Sequence, residues 1–240
     1  MNQNPIPNRL SGSPATPSTL GVRPDTRLAT AFLTQAFVWM FAGLLLSAGV
    51  AWAVQSNEQL IGFAADNFFL LVIAQLALVF VISGAINRIN ASVALLLFFV
   101  YAATLGVTLG LIVSLYSGAS VVTAFLSASS MFGAAAIYGA VTKRSLAGLG
   151  GILFMGVIGL IVAMVINLFL ASTMLTWLVS IAGVVIFTAL TAYDVQRIGA
   201  GDLAAATGSM EKAAVLGALR LYLDFINLFL FMLRLLGGRN

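Results

Sequence analysis

Cysteine and histidine are both absent from the 240 residues, and those two absences remove much of enzyme chemistry. Without them there is no disulfide, no thiol nucleophile, no Ser–His or Cys–His relay and no His/Cys metal site. Any ion must be met by oxygen, which suits protons or Ca²⁺ better than transition metals. Proline is missing after residue 24, since Pro5, Pro7, Pro14, Pro17 and Pro24 account for all five. That opening stretch, mixed with Asn, Ser, Thr and Gly, reads as a disordered polar tail over residues 1–27. Helices downstream then have no proline to break them. Charge is also scarce: 8% of residues are charged and 61% hydrophobic, with a mean hydropathy of +1.10. A soluble domain could not hide so much apolar surface, because its exterior must face water. The net charge of +4 would hint at nucleic acid in a soluble chain. Here it reads as orientation in a membrane, with no nucleic-acid partner and no cofactor expected.

The gaps between charges count the membrane spans. Thirty uncharged residues separate Arg27 from Glu58, and 21 separate Asp66 from Arg88, each room for one helix. The 54 residues between Arg88 and Lys143 hold two helices joined at 114–120, and the 49 between Arg144 and Asp194 hold two more joined near 171–173. A span takes about 20 residues, so helices are expected at about 29–54, 68–86, 91–114, 121–141, 149–170 and 174–193. A seventh, over 213–236, carries Arg220, Asp224 and Arg234. Such groups belong inside a bundle rather than against lipid, which places this helix centrally. The fold class is therefore all-α, a polytopic protein of seven transmembrane helices, with residues 28–240 as its membrane domain. Ala51-Trp52-Ala53 has the small-residue look of a signal cleavage site. The apolar run before it is longer than an h-region and follows a polar tail, so it reads as a retained span.

Lys and Arg set the orientation. With the N-terminus cytoplasmic, Arg9, Arg23, Arg27, Arg88, Lys143, Arg144, Arg197 and Lys212 all fall inside. The loop after helix one has only Glu58 and Asp66, and only Arg234 and Arg239 fall outside. The bias predicts N-in. Trp52 and Trp177 then meet the outer interface, Tyr138 and Tyr193 the inner one. Gly106 and Gly110 form a G-x-x-x-G, and Gly148, Gly150, Gly151, Gly156 and Gly159 enrich the fifth helix. A pore or hinge is one reading; close helix packing by small residues is the favoured one.

Three ionisable groups need a reason: Arg88, Asp194 and Asp224, all placed by this topology in the inner half of the membrane. Arg220, Asp224 and Asn227 share one face of helix seven, and Thr191, Asp194 and Arg197 share one face of helix six. The bland reading makes Asp194–Arg197 and Arg220–Asp224 local helix pairs worth about 0.2–0.5 kcal/mol each. The sharper reading brings the two carboxylates together. Partly out of water they would not both ionise freely, so they would share a proton, with Arg88 competing for it. Such an arrangement is a pH-dependent latch.

At these residues the sequence resembles the Bax inhibitor family, the transmembrane Bax inhibitor motif group, in its bacterial members. Thr191-Ala-Tyr-Asp-Val-Gln-Arg-Ile198 and Leu221-Tyr-Leu-Asp-Phe-Ile-Asn-Leu-Phe-Leu230 carry the resemblance, with Thr142-Lys-Arg-Ser-Leu146 and Thr104-Leu-Gly-Val-Thr-Leu109 in support. Together with the flanking helices they cover residues 28–236. The resemblance implies seven helices with the last central, in a bacterial inner membrane. It further implies an aspartate pair that senses pH and controls Ca²⁺ leak, here Asp194 and Asp224. These would also be the oxygens any Ca²⁺ meets. A helix-two arginine that latches one of them would be Arg88, with Arg220, Asn227 and Arg197 as supporting polar groups. Family members often carry an acidic residue after Thr-Lys-Arg, where this chain has Ser145.

Three functions compete. A pH-gated cation (Ca²⁺) leak or channel leads. The alternative is a membrane-embedded binding module that modulates a membrane protease or other complex without transport, with the tail and the 198–209 loop as docking segments. A third reading is enzymatic, since Tyr193-Asp194 and Asp224 resemble the acid pair of intramembrane aspartyl proteases. Asp224 follows Tyr222-Leu223 rather than a Gly-x-Gly segment, and no Pro-Ala-Leu occurs. The chain is therefore not expected to be an enzyme. The expected partners are membrane lipid, Ca²⁺ or protons and, in the alternative, a membrane protease.

Overall fold

Backbone amides in hydrocarbon have no water to pair with, so long apolar runs without proline satisfy them internally, as helices. The computed structural model describes residues 26–237, with side chains from residue 31. Among them there are nine helices and no strand: α1 (Thr26–Gln55), α2 (Glu58–Asp66), α3 (Phe68–Ala85), α4 (Ala91–Val113), α5 (Gly118–Val141), α6 (Leu149–Leu170), α7 (Thr173–Gly199), α8 (Asp202–Thr207) and α9 (Met210–Leu236). Seven of these, all but α2 and α8, are long and apolar enough to cross a membrane. The chain is a polytopic membrane protein. The polar tail expected over residues 1–27 lies outside the described residues except for Thr26 and Arg27, which begin α1.

Polar side chains start the helices. Asn90 accepts from the Val93 amide at 2.8 Å, Ser117 from Ser120 at 3.2 Å, Ser172 from Leu175 at 3.3 Å and Ser209 from Lys212 at 3.4 Å. Each satisfies one orphan donor of a first turn. Ala171 ends α6 in the left-handed region at φ 47°. The Asn167 carboxamide steadies that turn by accepting from the Ser172 amide at 3.0 Å.

The seventh span is central. Of its apolar window, 78% is buried, against 11% for α3 and for α6. α9 packs on α1, α4, α5, α7 and α8, whereas α3 leans on α4 and α6 on α7. The outer faces are apolar and uncovered: Phe69, Phe80 and Phe169 are each more than 70% exposed, as a lipid-facing surface requires. Small residues bring the inner helices close. A Cβ at Gly106 or Gly110 would lie 2.8 Å from the Ser47 or Ala51 carbonyl oxygen of α1. One at Gly139 of α5 would collide with the Ala192 backbone of α7. In α6 only Gly150 and Gly156 meet a neighbour (Tyr193 and Ile186), while Gly151 and Gly159, and Gly148 just before the helix, face open space.

The structure departs most from the expected spans at the end of α7, while α1, α5 and α9 each begin three residues earlier than expected. α7 runs to Gly199 rather than stopping at 193, because Asp194 does not end the helix once a partner meets its charge. The stretches read as loops after helices one and six contain α2 and α8, each a short helix too brief to show a period in sequence. α8 sits between Gly201 and Gly208, both left-handed at φ 78° and 62°.

Candidate functional site

α7 and α9 run antiparallel, joined through α8, so the last turns of α7 face the first turns of α9. There the Arg220 guanidinium donates to the Asp194 carboxylate at 3.2 Å. Asp194 is 6% exposed and Asp224, one turn beyond Arg220 on α9, is 5% exposed. Asp224 lies within electrostatic reach of both Asp194 and Arg220. Its Oδ2 atom is buried with no hydrogen-bond partner among the described residues. An acid oxygen left that way in a low-dielectric interior is costly, so the site calls for a proton, a cation or a water. Two buried carboxyl groups from separate spans thus lie near one guanidinium, which bonds to Asp194 alone.

The other expected pairs form differently. The local pair Asp194–Arg197 is not made: Arg197 turns to Asp202 at the start of α8, Nε to Oδ2 at 3.1 Å. It also donates to the Tyr193 hydroxyl at 2.9 Å and stacks over that ring at 5.5 Å. Nor does Arg220 close on Asp224 as an ion pair, for Asp194 takes it. Asn227 bonds back to the Leu223 carbonyl at 2.8 Å and takes no part in the acid pair.

The expected Arg88 latch needs correction. Arg88 is exposed in the turn after α3 and is ion-paired to neither aspartate. α3 sits at the periphery against α4, whereas Asp194 faces α9. Arg220, on the central helix, is therefore nearer to hand. Its position in sequence suggested only an intrahelical partner.

Sequence reasoning gave no role to Gln196, Asp202 or the Ser47–Tyr222 pair. Gln196 clasps the loop between α5 and α6, accepting from the Leu146 amide at 2.7 Å and donating to the Arg144 carbonyl at 2.8 Å. The loop is thus tied to α7 through its backbone rather than through Ser145. At the other side of α9, the Tyr222 and Ser47 hydroxyls lie 2.6 Å apart, and Ser47 donates within reach of the Ala102 carbonyl at 2.7 Å. One serine among many carries no such signal in sequence; only the contact shows it.

Ca²⁺ usually takes six or more oxygens. Asp194 and Asp224 offer four at most, one of them already held by Arg220. No cluster of three or more acidic groups meets among the described residues. The pair by itself does not complete the shell of a resident ion.

Comparison with known proteins agrees with this architecture. Residues 29–240 match the family model described as Inhibitor of apoptosis-promoting Bax1. The chain is similar to the inner membrane protein YbhL of Escherichia coli K12, 43% identical over 225 residues, covering 91% of this chain and 96% of the relative. It is likewise 43% identical to a Deinococcus radiodurans protein over 210 residues, 87% of this chain and 91% of the other. A Borreliella burgdorferi protein is also 43% identical, over 214 residues, 87% of this chain and 92% of that one. A family match over nearly the whole membrane domain, with relatives aligned over 87–91% of the chain, places the chain in the Bax inhibitor family.

Proposed function

We propose that the protein is a pH-sensitive cation leak or channel, with Ca²⁺ as its cargo, gated by Asp194, Asp224 and Arg220. The observation that carries this reading is the buried acid pair beside one guanidinium, which holds Asp194 and leaves an oxygen of Asp224 unpartnered. Arg220 holding Asp194 ties α9 to α7 near their shared end. A proton gained or lost by either carboxyl changes which of them the guanidinium holds, since two carboxyls beside one fixed positive charge exchange protons as a coupled pair. Release of that tie frees two inner helices to separate, and the exposed carboxylates then attract a passing cation. The ion is cargo met in transit, in keeping with the small oxygen set. No covalent step is involved, so the reading assigns no enzymatic activity.

The name of the Escherichia coli relative and the Lys/Arg bias favour a bacterial inner membrane with the N-terminus cytoplasmic. Purified protein in liposomes loaded with a Ca²⁺ indicator tests the proposal. Flux above that of empty liposomes, varying with pH, supports it. A module that only docks on a membrane protease or another complex leaks nothing.

A further inference from the structure

The face of α9 that carries Asp224 continues for two turns, about 10 Å, to Phe231. α7 mirrors this in the opposite direction, with Phe187 two turns before Asp194. The two rings stack, their centroids 5.8 Å apart and their planes at 30°, and both are buried. Gly183 provides the seat: a Cβ there would stand 2.5 Å from two carbons of the Phe231 ring. Past the rings, between the far ends of α6, α7 and α9, opens a cavity of about 540 Å³ lined by Asn167, Thr176, Val179 and Arg234 among others. Val179 is one turn from Gly183, and the Arg234 guanidinium lies over the Phe231 ring at 5.8 Å. The stack therefore lies between this cavity and the acids.

We infer that the cavity is the mouth of a route to the acid pair, and that the Phe187–Phe231 stack on Gly183 is its closed gate. The inference rests on the leak reading, for which it supplies the barrier. Two stacked rings offer a hydrated ion no oxygen, and an apolar constriction of this kind excludes water until a ring moves aside. Gly183 explains why the closed position is available to Phe231. The far side of the gate is marked by Thr191, on the same face of α7 between Phe187 and Asp194 and 0% exposed.

The chain has no native cysteine, so Thr191→Cys reports access directly. The full-length protein in nanodiscs, open to reagent from both sides, is treated with a small charged methanethiosulfonate. Labelling is expected to be slow with both rings present and about tenfold faster, or more, when Phe231→Ala is added. Phe187→Ala removes the other half of the stack and should do the same, which keeps the test open if one variant fails to fold. Phe229→Ala removes an equal ring from the other side of α9, where it borders a separate apolar cavity of about 310 Å³. It should leave labelling slow. An unchanged rate in both gate variants, or an equal rise in Phe229→Ala, overturns the gate. Fast labelling without any Ca²⁺ flux would uphold the gate and reject the leak. Flux in the wild type with labelling unmoved by either gate variant would do the reverse.

Discussion

Arg220 reaches across from α9 to Asp194 on α7 at 3.2 Å instead of folding back on Asp224 one turn along its own helix. The choice makes the arginine an interhelical tie, and it changes which substitutions should matter.

Arg220→Gln removes a charged hydrogen bond and leaves two buried carboxyl groups to each other. Because the guanidinium side chain is 36% exposed, the cost is expected at about 1–3 kcal/mol rather than that of a fully buried pair. Arg88→Gln, at an exposed site with no carboxylate partner, should stay within about 0.5 kcal/mol. Thermal unfolding of both variants in one detergent checks the order. A larger loss for Arg88→Gln would restore the latch to α3.

Ser47→Ala should destabilise more than Tyr222→Phe. The first strands a buried tyrosine hydroxyl and costs about 1–3 kcal/mol. The second leaves Ser47 its carbonyl partners Gly43 and Ala102, at 3.0 and 2.7 Å. Combining the two should recover part of the serine loss, since members of one network are not additive. Unfolding midpoints of the three variants measure this, and simple additivity would contradict it.

Much of this architecture is legible in the sequence, for a physical reason. Charges are expensive in hydrocarbon, so the gaps between them mark the spans, and the charged helix among apolar ones must be the covered one. The same rule misplaced the end of α7, because it treats a charge as the edge of the membrane even where a neighbouring helix answers it. The stripe on α9 and the Tyr193-Asp194 motif marked the acids. Their partner was not legible, since spacing along a chain can propose a pair only within one helix. Arg220 to Asp194 is a contact between two helices, and Gln196 to the Leu146 amide is another such contact.

Gly139→Ala tests the packing between α5 and α7. The added methyl group would collide with the Ala192 backbone, two residues before Asp194, at a cost of about 1–3 kcal/mol or more. Gly133→Ala on the same helix meets nothing within 4 Å and should be neutral or gain about 0.5–1 kcal/mol of helix propensity. Yield and unfolding temperature of the pair check the contrast. Equal behaviour would mean that α5 does not pack on α7 as described.

The central claim is that Asp194 and Asp224 act as one titrating unit. Its most direct measurement is Ca²⁺ flux through proteoliposomes over a range of pH for four proteins: wild type, Asp194→Asn, Asp224→Asn and the double variant. Asparagine preserves the shape of each side chain and removes its proton. The expected result is that either single substitution abolishes the pH dependence and that the double adds little to either. A normal pH response in Asp194→Asn would contradict the claim. Asp224 would then be a buried packing residue, and the Arg220–Asp194 contact a structural tie between two helices.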